Sequence, residues 1–271
     1  MVTDLYQLNL LSDYTRKERK RVSFHLKVDT GMHRLGIGLH ELESALSIIR
    51  RNPQLKIEGV MSHLACAEDP DSPLTRKQLK CFKEALKTIR REGLAPRFRH
   101  LANSAATILI GESHFDLVRP GLCLYGVHPC PRTRELIPLK PVMTAKARIL
   151  SIKEITRGCG VGYGPLFVSP RAMKIALVPV GYDDGYLRAL SNKGFAWIKG
   201  RRVPVVGAVS MRLLALDVSD VEGVSPGDEV ILLGGKNREV PAEELAERAG
   251  LISYELLCLM GKGTFKIYLR S

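Results

Sequence analysis

Up to Val118 the chain interleaves short strand-like runs with amphipathic helical stretches, and that alternation restricts the fold more than any other feature. Val22 to Val28 alternates apolar with polar residues and predicts a strand. Glu41 to Arg50 carries Leu42, Ala45, Leu46 and Ile49 at helical spacing, which gives one apolar face. Leu55 to Met61 reads as the next strand. Asp71 to Glu92 reads as a long helix, with Ser72 as N-cap, Pro73 in the first turn and Gly93 as the stop. Further strands near Arg97 to Leu101 and Asp116 to Val118 flank a short helix from Ser104 to Ile110. Strands separated by helices pair in parallel. Four such strands cannot close a barrel by themselves. The region before the Pro-rich stretch Val127 to Pro141 is about half of the ~250 residues a complete (β/α)₈ barrel takes.

Beyond Tyr125-Gly126 the pattern changes. Short β runs follow at Thr144 to Ile155, Lys174 to Val180, Phe195 to Ile198, Val203 to Val206, Ala215 to Val218 and Glu229 to Leu233, separated by turns rich in Gly, Asn and Asp. They predict a mostly antiparallel β domain. Pro241 to Ala249 reads as a helix stopped by Gly250, and Ser253 to Leu259 as a second. The expected class is therefore α/β, with residues 1–135 forming either an open sheet or part of a (β/α) barrel and residues 136–271 forming a β domain.

Bulk properties exclude several roles. No window holds the ~18 uninterrupted apolar residues of a membrane span, and the start Met1-Val2-Thr3-Asp4-Leu5 lacks a basic-then-apolar export signal. The expected location is the cytoplasm. Six scattered cysteines without a Cys-x-x-Cys pair fit reduced thiols, not a disulfide framework or a zinc site, and no metal is expected. The net charge of +13 is concentrated in runs such as Arg16 to Arg21 at element ends. No aromatic residues interleave them, which argues for solvated faces over nucleic acid.

Four strings carry the chemistry. Lys27-Val28-Asp29-Thr30-Gly31-Met32-His33-Arg34 puts a lysine near a strand end, then a glycine turn, then an arginine. A (β/α) barrel delivers cationic side chains to its active face in this way. Ser62-His63-Leu64-Ala65 follows the next strand. Asn103-Ser104 opens a short helix, where backbone amides and the Ser104 hydroxyl suit an anion, although capping alone would also explain both residues. Val118-Arg119-Pro120-Gly121-Leu122 sets an arginine at a strand end and adds further amides.

In this order the four strings resemble alanine racemase, a fold-type III enzyme dependent on pyridoxal 5'-phosphate, and the resemblance runs almost to the C-terminus. It implies a partial barrel followed by the family's β domain, and a homodimer with shared active sites that interconverts L- and D-alanine for peptidoglycan synthesis. It implies a phosphate held by Asn103, Ser104, Gly121, Leu122 and Tyr254, a pyridine nitrogen facing Arg119, and a ring packed against His63. Arg34 would hold the cofactor's phenolic oxygen and the substrate carboxylate. Lys27 matches a lysine that is carbamylated in many members. Tyr163, in Gly160-Val161-Gly162-Tyr163-Gly164, matches the catalytic acid/base; Tyr182 and Met211 match residues that reach the substrate from the second subunit.

Two departures qualify the activity. No string like the family's Val-Lys-Ala-Asn-Ala-Tyr-Gly-His, which bears the Schiff-base lysine, occurs here. The chain reads as N-terminally truncated, and the isolated 271 residues are expected to be inactive. Ser210-Met211-Arg212-Leu213 stands where most members have Cys- or Ser-Met-Asp-Gln. The alternatives are a catalytically inactive truncated racemase, or a racemase of serine or another amino acid.

Overall fold

The computed structural model describes residues 1–164, 166–260, 262 and 265–269. They form two compact units, one of residues 1–123 with 129–138 and the other of residues 124–128 with 139–271.

The first unit begins with helix α1 (Leu5–Glu18), whose N-cap Asp4 accepts the Gln7 amide. Sequence periodicity gives no sign of this helix. Its buried face carries Leu8, Ser12 and Thr15, and the polar pair meets Asn52, whose Nδ2 donates to Ser12 O, Ser12 Oγ and Thr15 Oγ1. Strand β1 (Val22–Asp29) follows, then the short β2 (Ile37–Gly38), α2 (Leu42–Arg51), β3 (Leu55–Met61), α3 (Pro73–Arg91), β4 (Phe98–His100) and α4 (Ser104–Leu109). Ser72 occupies the N-cap of α3 without a side-chain cap bond, so Pro73 at the first turn does the starting.

The sheet order is β2-β1-β3-β4, with every pairing parallel. Val2 bridges Leu26, and Leu117 bridges His100, again in parallel. The expected strand from Asp116 to Val118 is only that bridge, because the Asp116 carboxylate instead takes the Arg99 amide and guanidinium. The core is apolar, built on Leu26, Val28, Leu46, Val60, Phe82 and Leu101.

The second unit contains β5 (Ala145–Arg148), β6 (Ser151–Ile155), β7 (Met173–Val178), β8 (Phe195–Ile198), β9 (Arg201–Pro204), β10 (Leu214–Asp217) and β11 (Glu229–Leu233), then α5 (Ala242–Ala249) and α6 (Ser253–Met260). Its two sheets, β10-β7-β6 and β5-β11-β8-β9, are antiparallel throughout. The run expected as one strand from Thr144 to Ile155 changes sheets midway. The Ile149 amide donates to Asp228 O and the Leu150 amide to Leu177 O, one in each direction. At the entrance to this unit Gly126 has φ 74°, and a Cβ there would collide with the Lys140 carbonyl. Glycine is required on both counts. Among the described residues no helix is long and apolar enough to cross a membrane.

Candidate active site

Parallel strands deliver the functional groups of the first unit from their C-terminal ends. Lys27 lies one residue before the Val28-Asp29 end of β1, and Ser62-His63 follow β3. His100 ends β4, and Arg119 follows the Leu117 bridge. Beyond β1 the Asp29 Oδ1 accepts the amides of Gly31, Met32 and His33 at 2.9, 2.9 and 3.2 Å. Burial opposes its charge, yet these amides and the neighbouring His33 hold the carboxyl below its usual range. The acid is thus committed to shaping the turn. Lys27, Arg34 and Arg119 interact electrostatically, and among the described residues no ion pair joins any of them to a carboxylate.

This cationic surface determines protonation. Lys27 is only 5% exposed. Burial, Arg34 and Arg119 all push its pKa down, against a weaker opposite pull from Asp29. His63 is lowered to about 4 by burial and by Arg119, Arg34 and Lys27. It is neutral near pH 7, so His63 adds no positive charge to this face. Arg119 is lowered by burial but keeps its proton at physiological pH.

The Arg119 guanidinium is held on two sides. Nη2 donates to Ser62 O at 2.7 Å and Leu101 O at 3.2 Å, while Nη1 meets His100 Nδ1 at 2.8 Å. Arginine has five N–H donors, so its Nε–H and the second Nη1–H stay available to an outside acceptor. His100 carries an assignment that the strings above did not give it, as does the buried Gln78. Gln78 Oε1 accepts the Ala65 amide at 2.8 Å and its Nε2 donates to His63 O at 2.9 Å, which fixes the loop bearing His63.

At α4, Asn103 caps the helix by accepting the Ala106 amide at 3.0 Å. Buried Ser104 Oγ accepts the amides of Gly121 at 2.8 Å and Cys123 at 3.4 Å. Leu122, between them, is also buried. With its acceptor side engaged by two amides, the Ser104 hydroxyl has its own hydrogen left to donate. That fits a phosphate oxygen.

The second unit carries the other four expected residues. Tyr163 is 74% exposed on a turn between Gly162 and Gly164, both with positive φ. Tyr182 and Met211 are brought together: the Tyr182 amide donates to Ser210 O at 3.1 Å and the Asp183 amide to Met211 O at 3.0 Å. Gly181 has no room for a Cβ against the Ser210 and Met211 carbonyls. Arg212, the departure noted above, pairs with Asp183 at 2.7 Å. Tyr254 lies in the first turn of α6 and is exposed.

A parallel α/β unit with a cationic strand-end face, followed by an antiparallel β unit, defines the class of barrel enzymes with an appended β domain. The family model described as alanine racemase, N-terminal domain, matches residues 1–129, and that of the C-terminal domain matches residues 142–268. The alanine racemase of Syntrophobacter fumaroxidans is 42% identical over 259 residues, covering 95% of this chain and 69% of that protein. That of Sorangium cellulosum is 40% identical over 275 residues, covering 99% and 72%. Among solved structures, alanine racemase from D-cycloserine-producing Streptomyces lavendulae superposes with a TM-score of 0.92 at 34% identity, covering all of this chain and 72% of that one. The Bartonella henselae enzyme with covalently bound pyridoxal phosphate gives 0.87 at 32% identity, covering 99% and 73%. The chain belongs to the alanine racemase family, whose members are isomerases.

Proposed function

We propose that this chain binds pyridoxal 5'-phosphate and serves the interconversion of L- and D-alanine, supplying D-alanine for peptidoglycan in the cytoplasm. The observation that carries the reading is the set of three cations, Lys27, Arg34 and Arg119, on one strand-end face with the nearby carboxylate Asp29 spent on backbone amides. Such a face is built for an anionic ligand. The Ser104 hydroxyl, with Asn103, Gly121, Leu122 and Tyr254, would hold the phosphate. Arg119 would direct a donor at the pyridine nitrogen. When bound, the cofactor supplies the electron sink that acidifies the amino-acid Cα–H.

The protein's own groups do the rest. Arg119 keeps its proton, so it orients the ring without protonating it. Arg34 holds the substrate carboxylate. A carbamate on Lys27 would turn one cation into an anion and steady Arg34. Neutral His63 accepts from the Tyr163 hydroxyl, and the phenol carries a proton at one face of Cα. Tyr163 and Met211 are 74% and 57% exposed, which supports their delivery, with Tyr182, to the site of a second copy in a homodimer.

The test is α-proton exchange of alanine in deuterated water with added cofactor, read by proton NMR. Deuterium enters Cα, and Tyr163→Phe lowers the rate by at least about 100-fold, the usual worth of a general acid/base. Absence of both cofactor absorbance and exchange overturns the reading. A second reading is a cofactor-binding chain that does not racemise. Cofactor absorbance that borohydride does not fix, with no exchange, selects it.

A further inference from the structure

A second histidine stands behind His100. His25 Nδ1 lies 2.7 Å from His100 Nε2, and the two rings are tilted at 4.9 Å between centroids. His25 also stacks on Phe98 at 6.2 Å.

Two features of β3 make room for this ring. Phe24 pairs with Ile57 but His25 pairs with Gly59, so Glu58 is an extra residue and the ladder bulges beside His25. Bulges of this kind re-aim side chains. At Gly59 a Cβ would stand 2.6 Å from both Nδ1 and Cε1 of His25. Any residue with a side chain there would displace the ring.

We propose that His25 is a positioning residue for Arg119, acting through His100. The inference rests on the cofactor reading above, because Arg119 is the group that would face the pyridine nitrogen. Direction along the chain follows from donor chemistry. A guanidinium only donates, so His100 Nδ1 must be bare and accept from Nη1. His100 then carries its proton on Nε2, and that N–H needs an acceptor. His25 Nδ1 is that acceptor, which leaves the His25 proton on Nε2. Each ring has one allowed tautomer, and the guanidinium cannot swing without breaking the series. A proton on His25 Nδ1 would force His100 Nε2 bare and Nδ1–H against Arg119, donor against donor. Burial and the charge of Arg119 keep His100 neutral, lowered to about 4.

Nitrogen-15 NMR of the full chain labelled at histidine reads the tautomers directly, without cofactor. At pH 7 the expected spectrum has His100 with protonated Nε2 and bare Nδ1, and His25 with bare Nδ1. His25→Phe keeps a ring but removes the acceptor, and the His100 Nε2–H loses its hydrogen-bonded nitrogen-15 shift. His25→Gln restores an acceptor oxygen and recovers it. Gly59→Ala, which leaves His25 in the sequence but pushes its ring away, reproduces the loss. A His100 protonated on Nδ1 in the unaltered chain overturns the proposal. So does an unchanged His100 Nε2–H shift in a folded His25→Phe variant. Should His25→Phe fail to fold, the unaltered spectrum and His25→Gln decide. Failure to bind pyridoxal phosphate with the expected tautomers present counts against the functional reading alone.

Discussion

Gln78 of α3 holds the His63 loop from beneath, donating to the His63 carbonyl at 2.9 Å while accepting the Ala65 amide at 2.8 Å. Gln78 is fully buried, so no water replaces either bond. Gln78→Leu leaves a backbone carbonyl and an amide unpaired in the interior, at about 1–3 kcal/mol each. The expected loss of stability is about 2–6 kcal/mol, read as a fall in urea midpoint with the slope unchanged. The His63 ring then gains water, and its pKa climbs from about 4 towards 6.5.

Stability should fall as the pH drops below neutrality. Both His63 and His100 are lowered from 6.5 to about 4 in the folded protein. Between those values the unfolded chain takes up protons that the folded one refuses. The contribution is therefore present above about pH 6.5 and is lost as the pH falls towards 4. The slope is at most about 1.4 kcal/mol per pH unit for each ring, and less for partly exposed His63. Carboxylates begin to contribute only near about pH 5, so urea midpoints at about pH 7, 6 and 5.5, between the onset for histidine and that for the carboxylates, isolate the histidines. His100→Gln removes part of the slope; a slope identical to that of the unaltered protein contradicts the assignment.

Arg119 should not tolerate lysine. An ammonium carries the same charge but lacks the planar fork that reaches Ser62 O, Leu101 O and His100 Nδ1 together. At least one buried acceptor is orphaned, at about 1–3 kcal/mol. Cofactor titration followed by absorbance should show weaker binding for Arg119→Lys, with urea unfolding reporting the stability loss alongside it. Equal affinity and midpoint would mean that charge alone matters at this position.

The parallel unit was legible wherever one face of an element is apolar. Strand Leu55–Met61 and the helices after Glu41 and Ser72 follow from their periodicity. Helix α1 escapes that reasoning because its inward face is a hydrogen-bonded Ser12–Thr15–Asn52 cluster, which periodicity counts as solvent. The same blindness hides His25. In Val22 to Asp29 the polar set Ser23, His25 and Lys27 alternates with the apolar set and reads as a wet face, yet Lys27 is 5% exposed. Local strings located Lys27, Arg119 and Ser104. Gln78 and the His25–His100 contact join residues 15 and 75 positions apart, and no local pattern encodes them.

Lys27 offers the sharpest chemical test. Attack on carbon dioxide needs the neutral amine, and burial with Arg34 and Arg119 lowers the pKa of this one. The product is an anion, which the same two arginines favour once it forms. Reactant and product are thus both favoured by the surrounding positive charge. Incubation with carbon-13 bicarbonate should give a protein-bound carbamate signal that is absent from Lys27→Ala. Arg34→Ala removes one of the cations, so the Lys27 pKa rises and the signal weakens at fixed pH. Other lysines of the chain share the solution but not the burial, and none should give a signal that survives removal of free bicarbonate. A carbamate resonance undiminished in Lys27→Ala would place the modification elsewhere and leave Lys27 as a cation.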